Sequence, residues 1–123
     1  MTSTVTRDGF SLSAQTGQVG DDLCVLVTGG KAHIGSVSMA MPYPEKESSG
    51  TGHAAASTFC RPGHRDDVVS DRFAKTLAAR LQQNVTVLCG IHYDNAGPQD
   101  IGTLLALADE LLEILCAGHG ADR

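Results

Sequence analysis

Leu23-Cys24-Val25-Leu26-Val27-Thr28, followed at once by Gly29-Gly30-Lys31, decides the fold. The run is too short for a stable helix and carries no polar alternation, so it predicts a central strand covered on both faces and ended by the Gly-Gly turn. Upstream, Phe10 to Gln15 alternates with period two, the mark of a half-buried strand, and residues 17–22 form the turn between them. Downstream, Ile34 to Met41 alternates again until Pro42-Tyr43-Pro44 closes it, and His53 to Cys60 is a weaker strand of small residues. Residues 61–67 lead sharply into a helix whose apolar stripe is Val69, Phe73, Leu77 and Leu81, with Asp66 or Asp67 placed to cap it. Asn84 to Cys89 returns to strand and residues 90–95 form its exit loop. Pro98 then opens a second helix with Asp100 in its first turn and a wide apolar face of Ile101, Leu104, Leu105, Ala108, Leu111, Leu112 and Leu115.

The pattern predicts an α+β fold, a two-layer sandwich in which a mixed, mostly antiparallel sheet of about five strands carries two helices on one face. A chain of 123 residues without an internal repeat or linker fits one domain spanning residues 1–123. Residues 1–8 and 118–123 are expected to be flexible termini, and 43–52 a mobile loop.

Composition excludes several classes. A net charge of −5 with no basic block, 4% aromatics and no Trp argues against a nucleic-acid module. The longest apolar runs, such as Val25 to Val27, are far too short to cross a bilayer, and no secretory signal is visible, so no membrane or nucleic-acid partner is expected. Cys24, Cys60, Cys89 and Cys116 lie in or beside apolar stretches with no Cys-x-x-Cys, which reads as buried thiols in a cytoplasmic protein.

If each connection reverses the chain, the end of the Leu23–Thr28 strand defines an upper edge to which three separate segments return. His33 follows the Gly-Gly-Lys turn, His64 stands in the loop before the first helix, and His92 ends the last strand with Asp94 and Asn95 beside it. His53 and His119 lie elsewhere. Both helix N-termini start at this edge, so it offers imidazoles and carboxylates to a divalent metal, and amides, Lys31 and Arg65 to a phosphate. Neither half matches a strong motif, since the Walker spacing and the zinc-finger or His-Glu-x-x-His spacings are absent.

The segments Gly29-Gly-Lys-Ala-His-Ile-Gly-Ser-Val37, Gly63-His-Arg-Asp-Asp67 and Gly90-Ile-His-Tyr-Asp-Asn95 resemble, in order and spacing, the signature stretches of the LpdD-like family. These are the small D subunits that accompany UbiD-type, prenylated-flavin-dependent decarboxylases of aromatic acids. The resemblance covers roughly residues 10 to 116, with Ser36 and Arg65 as mild departures. It implies a non-catalytic prenylated-FMN-binding metallochaperone, working as a homodimer between a flavin prenyltransferase and a UbiD-type decarboxylase. Carried onto this chain, it makes His33, His64, His92, Asp66 and Asp94 candidate ligands of a divalent transition metal. Gly29, Gly30, Lys31, Ala32, Arg65, Asp67 and Asn95 become candidates for binding prenylated FMN, or FMN itself.

Two other classes stand beside this reading. One is a metal-dependent enzyme acting on a small aromatic or acidic substrate; it would turn its ligand over, whereas a carrier releases it unchanged. The other is a structural subunit that docks on the decarboxylase and binds nothing small. No nucleophile, base and orienting group occur together, so no catalytic residue is assigned.

Overall fold

The computed structural model describes residues 1–43, 53–63 and 65–120. The elements run β1 (Thr2–Arg7), β2 (Phe10–Val19), β3 (Asp22–Gly30), β4 (Ser36–Pro42), β5 (Ala54–Cys60), α1 (Asp67–Leu81), β6 (Val85–His92) and α2 (Pro98–Gly120). The strands form one mixed sheet of six in the order β1-β2-β3-β6-β4-β5. The α+β class and the two helices are as expected.

The sixth strand is the first one. Residues 2–7, expected to be a flexible terminus, pair antiparallel with β2 from Thr2 opposite Gln15 to Arg7 opposite Phe10. Only Val5 of this strand enters the core, so its pattern is too faint to mark it in the sequence. At the other end, α2 continues through His119 to Gly120, where fraying was expected from residue 118. The expected mobile loop falls almost wholly on residues 44–52, outside the described residues.

Strand adjacency also departs from a simple meander. β3 and β4 run in opposite directions as expected, but they are not neighbours: β6 lies between them, parallel to β3 and antiparallel to β4. The link from β3 to β4 therefore crosses β6. It is tied there by the Lys31 amide donating to the His92 carbonyl at 2.9 Å and the Gly35 amide to the Cys89 carbonyl at 2.8 Å. Gly90 makes the crossing possible, because a Cβ at that position would overlap the His33 carbonyl.

Both helices lie on one face. α1 packs on β4, β5 and β6, α2 on β1 and β2, and the two helices touch. Beneath them Leu12, Ala14, Leu23, Val25, Val27, Val85, Val87 and Cys89 meet Phe73, Leu77, Leu107, Leu111 and Leu115 in one core cluster. The central strand is thus covered on one face only. Cys24, Leu26 and Thr28 point the other way and are half-buried by their neighbours in the sheet.

β4 inverts the expected polarity. Its buried side chains are Ser36, Ser38 and Ala40, while Met39 and Met41 are 52% and 54% exposed. Small residues let α1 approach closely, and Ser70 of α1 drops between the two serines. Its hydroxyl lies 2.8 Å from that of Ser36 and 2.7 Å from that of Ser38, which in turn lies 2.6 Å from the Thr58 hydroxyl. The three buried serine hydroxyls satisfy one another, so the polar stripe does not destabilise the core.

Candidate functional site

The upper ends of β3 and β6, the β3–β4 link and the N-terminal turns of both helices enclose two clefts that share His92. The first, about 340 Å³, lies between the helix starts. Val69, Ile91, Ile101, Leu104 and Leu105 wall it, and Gly63, Arg65, Asp66 and His92 edge it. The first turns of α2 overhang this space, which leaves Ile101 and Leu105 about half exposed instead of in the core. The second cleft, about 330 Å³, is lined by Lys31, Ala32, His33, Arg61 and His92.

Asp66 is the hinge of the arrangement. It holds the N-cap position of α1, yet its side chain makes no capping bond. The carboxylate turns inward instead: Oδ1 accepts the Ile91 amide at 3.0 Å, and Oδ2 lies 3.2 Å from His33 Nε2. Gly35 leaves the room this needs, since a Cβ there would overlap the Asp66 carboxylate. The other ring nitrogen of His33, Nδ1, lies 3.0 Å from the Lys31 carbonyl. A carbonyl only accepts, so Nδ1 carries a proton. Nε2 then faces the carboxylate as the second N–H of an imidazolium, or as a lone pair that shares a cation with it. An imidazole anchored through Nδ1–H on a backbone carbonyl is how metal-binding histidines are commonly oriented.

His92 is engaged differently. Its Nε2 lies 2.9 Å from Asp94 Oδ1, at the exposed rim. That hydrogen bond, helped by the charge of Lys31, holds the Asp94 carboxyl below its ordinary range. Tyr93 points the opposite way and pins the exit loop to β2, its hydroxyl donating to the Ser11 carbonyl at 2.7 Å and accepting the Ser11 amide at 2.9 Å.

A family model described as "Prenylated flavin chaperone LpdD-like domain" matches residues 6–119. The chain belongs to this family. It is 29% identical over 115 residues to Protein LpdD of Lactiplantibacillus plantarum, an alignment covering 89% of this chain and 78% of that protein. The fold is also similar to a chain in the crystal structure of a chaperone complex for yeast 20S proteasome assembly. That likeness has a TM-score of 0.55 over 96% of this chain and 98% of the other, at 11% identity, and speaks for the fold alone. Membership makes this LpdD-like chain a chaperone, an accessory protein and not an enzyme.

Within the LpdD-like domain the candidate residues divide. His33 and Asp66 are brought together, His92 and Asp94 form a second pair, and His64 lies outside the described residues. Among the described residues no three His, Cys, Asp or Glu side chains converge to hold a metal ion. Lys31 and Ala32 line the second cleft, and Arg65 edges the first with its side chain 82% exposed. Asp67 opens α1, its Oδ1 3.4 Å from Arg65 Nε and 3.7 Å from Cys60 Sγ. Asn95 turns the exit loop with a φ of 62° and lines neither cleft. Gly29 is a buried strand residue, where a Cβ would press on Leu12, and Gly30 closes β3 opposite His92.

The Gly29-Gly30 stretch, expected to be a turn, is instead the end of β3, opposite Ile91 and His92. Cys24, Cys89 and Cys116 are free thiols; burial pushes those of Cys89 and Cys116 up, while Cys24 and Cys60 are only half-buried. Two contributions escaped sequence reasoning: Arg61, which nothing but its position after β5 marks, and the apolar wall from α2, whose stripe reads simply as core.

Proposed function

We propose that this chain binds prenylated FMN at the upper edge, with a divalent transition metal, and passes it from a flavin prenyltransferase to a UbiD-type decarboxylase in the cytoplasm. The observation that carries the reading is the pair of clefts meeting at His92, one apolar-walled and one cationic. A flat, largely apolar ring system with a polar tail has matching surroundings there, and each volume lies within the ordinary range of ligand sites. His33 and Asp66 fit as two donors of a metal site, one already oriented by the Lys31 carbonyl. The metal, when bound, supplies a fixed positive charge beside the flavin. The chain's own residues hold the ring, anchor the tail and restrict water.

A homodimer completes the proposal. Away from the helices, the outward positions of all six strands between their rims are uncharged, from Thr2, Thr4 and Thr6 across Leu26 and Leu88 to Val37, Met39 and Phe59. Such a face spans roughly 650 Å² before side-chain relief, from the usual strand spacing and rise. That approaches the ~800 Å² per partner of a standard interface. A second copy seated on it covers Phe59, 76% exposed in the single chain.

The test is the absorbance spectrum and elemental composition of protein purified from cells that also make a flavin prenyltransferase. A flavin band with near-stoichiometric metal, both diminished in His33→Ala and Asp66→Ala, is the expected result. Metal without flavin would favour the metal-binding half of the reading alone, and a folded protein carrying neither would end it.

A further inference from the structure

We propose that Tyr93 is a positioning residue whose hydroxyl straps the upper edge together and thereby sets the width of the apolar cleft. That cleft lies on a seam. α1, which forms one side of it, packs on β4, β5 and β6, whereas α2, which forms the other, packs on β1 and β2. β3 joins the two halves, but not along its whole length. Its pairing with β2 runs from Asp22 opposite Val19 to Thr28 opposite Ser13 and stops there, while its pairing with β6 continues to Gly30 opposite His92. The seam is therefore unladdered at the end where the cleft opens.

Tyr93 fills that gap. Met1 and Thr16 exchange both backbone bonds, at 2.8 and 3.2 Å, so antiparallel alternation turns the backbone groups of Phe10, Leu12 and Ala14 toward β1 and those of Ser11 and Ser13 toward β3. The continued register would place Gly30 opposite Ser11, but Gly30, at a φ of 67°, has left the extended conformation that a partner there needs. The Tyr93 hydroxyl takes that place, donating to the Ser11 carbonyl and accepting the Ser11 amide as a strand residue would. Its ring stands edge-on against Phe10, with centroids 4.9 Å apart. Tyr93 lies between His92 and the start of α2, so the strap fixes both to the β1–β2 hairpin. The other tie from α2 to this hairpin, Arg7 to Glu110 at 3.1 Å, joins two exposed side chains further along the helix and holds weakly.

The identity of the cleft's occupant rests on the flavin reading above; the strap does not. Tyr93→Phe keeps the ring on Phe10 and removes both bonds to Ser11. Amide exchange at Ser11 and at residues 101–105 should quicken together by at least about tenfold, the effect of losing one or two hydrogen bonds that close a local opening. FMN and riboflavin should both bind at least about tenfold less tightly, because a loosened wall acts on the ring they share. Ser38→Ala loses a buried hydroxyl outside both clefts and controls for lowered stability. It should leave flavin affinity and exchange at 101–105 at wild-type values.

Should Tyr93→Phe fail to fold, the wild-type protein decides. Its amides at Ser11 and 101–105 should exchange through one opening, with the same urea dependence, and added FMN should slow Ser11, which lines neither cleft. If wild-type protein binds neither flavin, the flavin reading fails and the exchange measurements test the strap by themselves. Quickening confined to Ser11, with 101–105 unchanged, would reduce Tyr93 to a cap on the end of β2 and overturn the proposal. Separate openings in the wild-type protein would do the same.

Discussion

The helix-free face of the sheet has two unlike halves. On β1 and β2 the outward side chains are Thr2, Thr4, Thr6, Ser11, Ser13 and Gln15, and they are knitted by hydroxyl pairs, Thr4 with Ser13 and Thr6 with Ser11, each at 2.9 Å. On β3, β6, β4 and β5 the same face presents Leu26, Leu88, Val37, Met39, Met41 and Phe59. A sheet covered on one side ordinarily turns polar residues to water on the other. The first half follows that rule and the second breaks it. Breaking it by inverting β4, so that serines go inward and methionines outward, leaves the apolar surface on which the proposed second copy would sit.

Met39→Glu is the sharpest way to break the contrast. In the two-fold pairing proposed above it would place two carboxylates in an apolar contact, so the proposed dimer should weaken at least a hundredfold, about 3 kcal/mol, because facing like charges cost several kcal/mol. Sedimentation reads this directly, and Thr4→Glu on the polar half is the control. Equal dissociation by both variants would erase the distinction. Asp66→Ala comes next, at the start of α1 on the helix-covered side. It leaves the Ile91 amide without its carboxylate acceptor and should cost about 1–3 kcal/mol in urea unfolding.

Smaller effects sharpen the picture. Thr4→Val with Ser13→Val extends the apolar half across β2; stability should shift by no more than about 1 kcal/mol, while self-association tightens. Last is the Asp94 carboxyl. Its folded pKa is depressed by His92, so the stabilisation it adds is present above its unfolded pKa and is lost as pH falls through the folded value. A carboxyl-carbon NMR titration should place its midpoint below the ordinary value and return it upward in His92→Ala.

Direction was legible in the sequence and adjacency was not. Pro42, the Gly29-Gly30-Lys31 break and Pro98 mark where the chain reverses or restarts, and that is enough to bring His33 and His92 to one edge. Hydrophobic pattern says which face a strand buries, but not which strand lies beside it, so nothing in Val85 to His92 announces its insertion between β3 and β4. The inverted β4 misleads in another way: alternation is visible in Ser-Val-Ser-Met-Ala-Met, but its phase is set by Ser70, thirty-odd residues later and on another element. At the site, Asp66 read as a cap because its position is a cap. Only the three-dimensional neighbours, the Ile91 amide and His33, show where its carboxylate goes.

The crossing of β6 by the β3–β4 link has a consequence for biogenesis. Residues 31–35 span a gap that is filled only when Val85 to His92 arrive, so a nascent chain stopped before Val85 carries two strands with facing unpaired edges. The sheet closes by inserting its central strand late, a non-local step of the kind that slows folding. Until the ribosome has released that segment, β3 and β4 are open to other chains.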